Sequence, residues 1–196
     1  MSSSKFILIG SALAVATAAH AQPAPSVTVY GRVDLSIAQQ ADTPSNRELR
    51  NGSGSRLGIR GSEDLGGGLR ALFQIEHRFN ANDGTQSTPR FREGKSIVGL
   101  EGGFGRVTLG REENPAYTFA QAVADPWGTD TVASNGSIVN GRIGSTRYSN
   151  SLNYRIALGD VTFGAQGAQA DGNAPALGGS AEKRPYSLGA GWSSGP

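Results

Sequence analysis

Residues 54–79 read GSRLGIRGSEDLGGGLRALFQIEHRF, and they alternate polar and apolar side chains on both sides of three consecutive glycines. Before the glycines, Leu57 and Ile59 oppose Arg56, Arg60 and Ser62. After them, Leu69, Ala71, Phe73, Ile75 and Phe79 oppose Arg70, Gln74, Glu76 and Arg78, with Leu72 as the one misfit. A period of two marks an extended strand whose two faces meet different surroundings. Glycine-rich loops can also cradle phosphate, but that chemistry needs a lysine and a helix after the loop. The stretch GSEDLGGGLR has neither, so Gly66, Gly67 and Gly68 predict a tight turn between two antiparallel strands.

The same alternation recurs through the chain. In VTVYGRVDLSI, Val27, Val29, Val33, Leu35 and Ile37 share one face, while Thr28, Tyr30, Arg32, Asp34 and Ser36 share the other. Residues 96–101 and 106–110 flank GGFG, and further alternating runs cover 145–157, 161–166 and 186–193, which makes roughly eight strands. Short turns fall at EDLGGG, GGFG and LGD, and long polar loops at about 40–54, 80–94, 111–144 and 170–185. Short connections at one end and long ones at the other are the habit of outer-membrane barrels. In lipid every backbone N–H and C=O needs an internal partner, which a closed barrel supplies while one face meets hydrocarbon and the other water. The expected fold is all-β, a transmembrane antiparallel β-barrel. A soluble exported β-sandwich acting as a binding module also alternates and is the other reading. The arginines on the polar face favour a hydrated lumen.

The N-terminus carries Lys5, the apolar run FILIGSALAVATA and Ala19-His20-Ala21, the order of a cleaved signal peptide. Residues 1–21 are read as that signal and 22–196 as the barrel domain. The apolar run is too short for a spanning helix. A formal charge of +2 gives no polycationic surface, so nucleic acid is not an expected partner. With no cysteine, an exported chain cannot lean on disulfides. Twenty-nine glycines suit turns and closely passing strands rather than helices.

No Walker or HExxH motif occurs, and Ser180-Ala181-Glu182-Lys183 matches S-x-x-K only in a glycine-rich loop with no helix to align it. His77 is the one histidine expected after cleavage, and its apolar parity marks an interfacial residue. No catalytic set, metal site or cofactor is expected. The loop after Glu112 is different. Ala116, Phe119, Ala120 and Val123 fall at helical spacing, which predicts a short helical turn whose apolar side packs on the barrel wall, leaving Asp125 and Asp130 facing water. Opposite these acids, with Glu113 at the root of the loop, stand the lumen-parity arginines Arg32, Arg56, Arg60 and Arg147, joined by Arg142. Opposed charges across a narrow aqueous gap tune which ions pass, and the arginine excess predicts a mild anion preference.

The stretches SVTVYGRVDLSI, SRLGIRGSEDLGGGLRALFQIE, VGLEGGFGRVTLGR and GRIGSTRYSNSLNY resemble the general trimeric porins of Gram-negative outer membranes, particularly those of betaproteobacteria. The resemblance implies a 16-stranded barrel in the outer membrane, contact with outer-membrane lipid, a homotrimer, a third extracellular loop folded into the pore, and passive diffusion of small hydrophilic solutes. By motif it places Arg32, Arg56, Arg60 and Arg142 on the basic side of a constriction and Asp125 and Asp130 on the acidic side, although the loop acids do not match in spacing. Two departures accompany it. Gly94 stands where the family often has an arginine, with Arg92 two residues earlier on the same parity. The chain also ends at GWSSGP without a terminal aromatic strand. The resemblance therefore implies the N-terminal half of a porin. The other reading is a complete eight-stranded barrel, whose interior side chains would fill.

Overall fold

The computed structural model describes residues 26–39, 47–52, 54–87, 89, 91, 93–129, 145–170 and 184–194. The signal segment, Arg92, Asp130, Arg142 and the S-x-x-K match lie outside the described residues. The strands are β1 (Ser26–Arg32), β2 (Leu35–Gln39), β3 (Arg47–Asn51), β4 (Arg56–Gly66), β5 (Leu69–Arg78), β6 (Ser96–Gly102), β7 (Gly105–Glu113), β8 (Arg147–Leu158), β9 (Val161–Ala168) and β10 (Tyr186–Trp192). An eight-stranded antiparallel sheet runs in the order β1-β4-β5-β6-β7-β8-β9-β10, and β2 pairs with β3 in a separate ribbon.

That ribbon corrects two expectations. VTVYGRVDLSI is not one strand but two, broken at Val33–Asp34, and Arg47–Asn51 is paired although alternation predicts a loop there. The break is held by Ser55: the Asp34 N–H donates to its Oγ at 2.9 Å, its hydroxyl donates to the Asp34 carbonyl at 3.2 Å, and the Gly52 N–H reaches the same carbonyl at 2.8 Å. Arg47–Asn51 carries one apolar residue in five. Its pairing comes from the backbone ladder to β2, which leaves little trace in a hydrophobic pattern.

The glycine triplet is a turn. Gly66, Gly67 and Gly68 have φ of 83°, 63° and 79°, left-handed values that cost other residues about 1–2 kcal/mol each. The Asp64 carboxylate accepts the Gly66 N–H at 2.8 Å and closes the bend.

The two faces divide as a membrane barrel requires. Val27, Val29, Leu57, Ile59, Val98, Leu109, Leu152, Phe163 and Leu188 all point outward and are exposed. The buried side chains include Ser55, Glu76, Thr108, Asn114, Ser151, Asn153, Gln166 and Ser187, whereas the buried apolar residues among those described are few, Ile97, Pro115, Tyr117 and Ala168. A soluble sandwich would bury the apolar set and expose the polar one. Leu72, the misfit in the pattern, pairs with Ser62 and Gly99 and so shares the polar, inward face.

After β7 the chain turns onto that inward face. One turn of π-helix, Tyr117–Gln121, runs into one turn of α-helix, Ala122–Ala124. Its Phe119 rests against β9 and β10, while its Tyr117 and Thr118 border β1, β4 and β5 across an open space, so the sheet curls around the loop. The predicted packing face is only partly correct. Phe119 packs on the wall and Ala116 is half-buried, but Ala120 is exposed and Val123 is 76% exposed, and Tyr117 and Gln121 are buried instead. The reason is the π geometry: the Ala122 N–H bonds to the carbonyl of Tyr117, five residues back, and that wider turn rotates later side chains off the α-helical face.

Candidate functional site: a cation-lined recess between wall and inward loop

In an antiparallel ladder, residues directly opposite each other share a face. The register therefore places Arg32 beside Arg56, Arg56 beside Arg78, and Arg60 beside Gln74 on the inward side. Like charges so close need an acid among them, and Glu76 supplies it. It is 6% exposed; Arg78 Nε donates to its Oε1 at 3.1 Å, Arg56 Nε lies 3.8 Å from Oε2, and the Tyr30 hydroxyl donates to Oε2 at 3.1 Å. Gln74 Nε2 donates to Tyr30 Oη at 2.6 Å, and the Arg60 guanidinium lies 5.5 Å from the centre of the Tyr30 ring. The space for Glu76 comes from Gly94, where an added Cβ would stand 2.3 Å from Glu76 Oε1 and 2.6 Å from its Cβ and Cγ. A side chain at Gly94 would therefore collide with the Glu76 carboxylate.

A second charged group sits at the root of the loop. Glu113 is bridged by Lys95 Nζ and Arg147 Nη2, each at 2.8 Å, and Glu112 lies 3.9 Å from Lys95 and 3.8 Å from Arg106. Thr108 donates its hydroxyl to Glu112. Outside the spanning strands, the N–H and hydroxyl of Thr85 hold the Asp83 carboxyl below its ordinary pKa.

Between the wall and the loop lies an open recess of about 560 Å³. The wall contributes Arg32, Arg56, Arg78 and Lys95 with Glu76 and Glu113, so basic side chains outnumber acidic ones; the loop contributes Tyr117, Thr118, Ala122 and Thr129. Of the arginines expected from sequence, Arg32 and Arg56 line this recess. Arg60 lies in a neighbouring hollow with Thr28, Ser62 and Arg106. Arg147 is clamped to Glu113, after an irregularity in the β7–β8 register between Gly110 and Glu112.

The loop acids differ from expectation. Asp125 does not face water: it is 6% exposed and accepts the Trp127 N–H at 3.0 Å, so it closes a turn within the loop. Of the expected acids among the described residues, Glu113 reaches the recess, and it does so from the end of β7. Arg78 and Lys95 join the site beyond the sequence expectation. Arg78 carries the correct parity in the sequence, but Lys95 precedes its strand and has no periodic signal.

Apolar side chains outside, polar ones inside and a loop folded onto the polar face define the wall of an outer-membrane β-barrel. The chain belongs to the Gram-negative porin family, whose model matches residues 9–196. It is 32% identical to an outer membrane porin protein of Bordetella pertussis over 171 residues, covering 77% of this chain and 44% of that protein. It is 40% identical to outer membrane porin protein 32 of Delftia acidovorans over 116 residues, covering 57% and 32%. Among solved structures, an anion-selective porin from Comamonas acidovorans matches 76% of this chain and 48% of its own, with 31% identity and a TM-score of 0.64. The chain spans less than half the length of the curated relatives it matches. Its place is the outer membrane, and its relatives are channels rather than enzymes.

Proposed function

We propose that the full-length protein is a water-filled channel for passive diffusion of small hydrophilic solutes, with a mild preference for anions, and that it works as a homotrimer in outer-membrane lipid. The observation that carries this reading is the recess in which Arg32, Arg56, Arg78 and Lys95 outnumber Glu76 and Glu113. Fixed positive charge beside a narrow aqueous path lowers the electrostatic barrier for anions and raises it for cations. The similarity to the anion-selective porin from Comamonas acidovorans points the same way. Arg92, Arg142 and Asp130 belong to the proposal on sequence grounds alone, as does a mature chain that starts at Gln22.

The mechanism is sieving combined with an electrostatic filter. The loop narrows the lumen, and the wall side chains, held by shared carboxylates, line the path without a covalent step. Liposome swelling tests it with the protein extracted from outer membranes. Vesicles carrying the protein are expected to swell in small neutral sugars, at rates that fall as the sugar grows. Vesicles that swell no faster than protein-free controls would contradict the proposal.

A further inference from the structure

One aromatic ring of the inward loop lies directly on the wall. A Cβ built at Gly164 would stand 2.8 Å from the Phe119 ring, one at Gly189 2.8 Å and one at Gly191 2.7 Å. All three glycines are on the inward face: Gly164 and Gly189 are paired directly, and Gly191 is two residues further along β10. Together they form a floor without side chains, and the ring lies on it. The Arg155 guanidinium lies 5.3 Å from the ring centre. This is a cation–π contact. Beside the ring, the Ala116 N–H donates to Ser187 Oγ at 3.0 Å and Gln166 Nε2 donates to the Glu112 carbonyl at 3.2 Å.

Any side chain larger than glycine at these positions meets the ring closer than real Cβ atoms approach their neighbours. The seat therefore fits a flat ring lying against the strands. Hydrogen bonds at Ala116 and Glu112 tie the start of the loop to the wall, whereas Tyr117 and Thr118, which line the recess, are bonded to Asn114 at the loop's own root. Phe119 follows them in the chain.

We infer that Phe119, seated on Gly164, Gly189 and Gly191, is a positioning residue that fixes the inward loop as a stationary wall and so sets the width of the solute path. The inference rests on the proposed channel function. Phe119 acts through its neighbours Thr118 and Ala122, which line the recess.

The test is single-channel recording and liposome swelling on protein extracted from outer membranes, with folding checked by heat-modifiable migration. Phe119→Ala empties the seat; Gly191→Ala fills it with a methyl group and keeps the ring. Both are expected to raise open-channel current fluctuation and to admit larger sugars than wild type. Phe119→Tyr keeps a flat ring on the same floor and is expected to keep both readouts at wild type, whereas a purely structural role would leave fluctuation and sugar limit unchanged in all three folded variants. Wild-type fluctuation and sugar limit in folded Phe119→Ala or Gly191→Ala protein would overturn the inference. Absence of conductance in the wild type would instead overturn the channel function.

Discussion

Replacing Glu76 by leucine is expected to destabilise the protein by about 3 kcal/mol, because it leaves cations packed together without the carboxylate they share. Arg56, Arg78 and Tyr30 all meet that carboxylate, and it is 6% exposed, so water cannot take its place without rearrangement. The check is the urea midpoint of the folded protein in detergent, which should fall. Glu76→Gln keeps the shape and loses the charge, so it should cost less while increasing anion preference. Gly94→Arg approaches the same carboxylate from the other side: its Cβ would stand 2.3 Å from Glu76 Oε1. It should be comparably destabilising alone, and the double variant Glu76→Gly/Gly94→Arg should lose less than the sum of the two single changes, as residues in contact do. Strictly additive losses would mean that Gly94 and Glu76 do not share one space.

Asn114→Ala is expected to release the inward loop at its root, at a cost of about 3 kcal/mol from a lost cap and unpaired buried groups. Asn114 is 0% exposed and ties together both ends of the excursion. Its Oδ1 accepts the Tyr117 N–H at 2.8 Å, its Nδ2 donates to the Ser145 carbonyl, and its backbone N–H donates to the Thr146 carbonyl at 3.0 Å. A side-chain amide accepts with its oxygen and donates with its nitrogen, which an ionised carboxylate cannot do. Asn114→Asp therefore keeps the bond to Tyr117 but turns an oxygen toward the Ser145 carbonyl, so it should not restore stability. Limited proteolysis checks this, with cleavage between β7 and β8 appearing in both variants and not in wild type. Full protection in Asn114→Asp would show that the donor side is dispensable.

Much of this architecture is legible in the sequence because a strand has a period of two and a barrel wall separates hydrocarbon from water. Parity alone puts Arg32, Arg56 and Arg60 on one face, and the missing lysine and helix identify Gly66–Gly68 as a turn. What parity cannot carry is cross-strand placement. Glu76 reads as one more polar residue until the register sets it between Arg56 and Arg78. Gly94 reads as a lost arginine until its open space proves to hold Glu76. Phe119 reads as one member of an apolar helical face, whereas its partners are three glycines from two strands, which carry no hydrophobic signal. The π turn that exposes Ala120 and Val123 and the burial of Asp125 depend on backbone hydrogen bonds with no signature in side-chain pattern. The ribbon β2–β3 escapes the pattern for the same reason.

If the wall cations of the recess govern which ions pass, reversing two of them must change the selectivity of the channel. The decisive quantity is the zero-current potential across a planar bilayer under a KCl gradient, for protein extracted from outer membranes and for the Arg56→Glu/Arg78→Glu variant. The wild type is predicted to give a potential with the sign of chloride selectivity, and the variant one shifted toward potassium. The same potential in both proteins would contradict control by these cations.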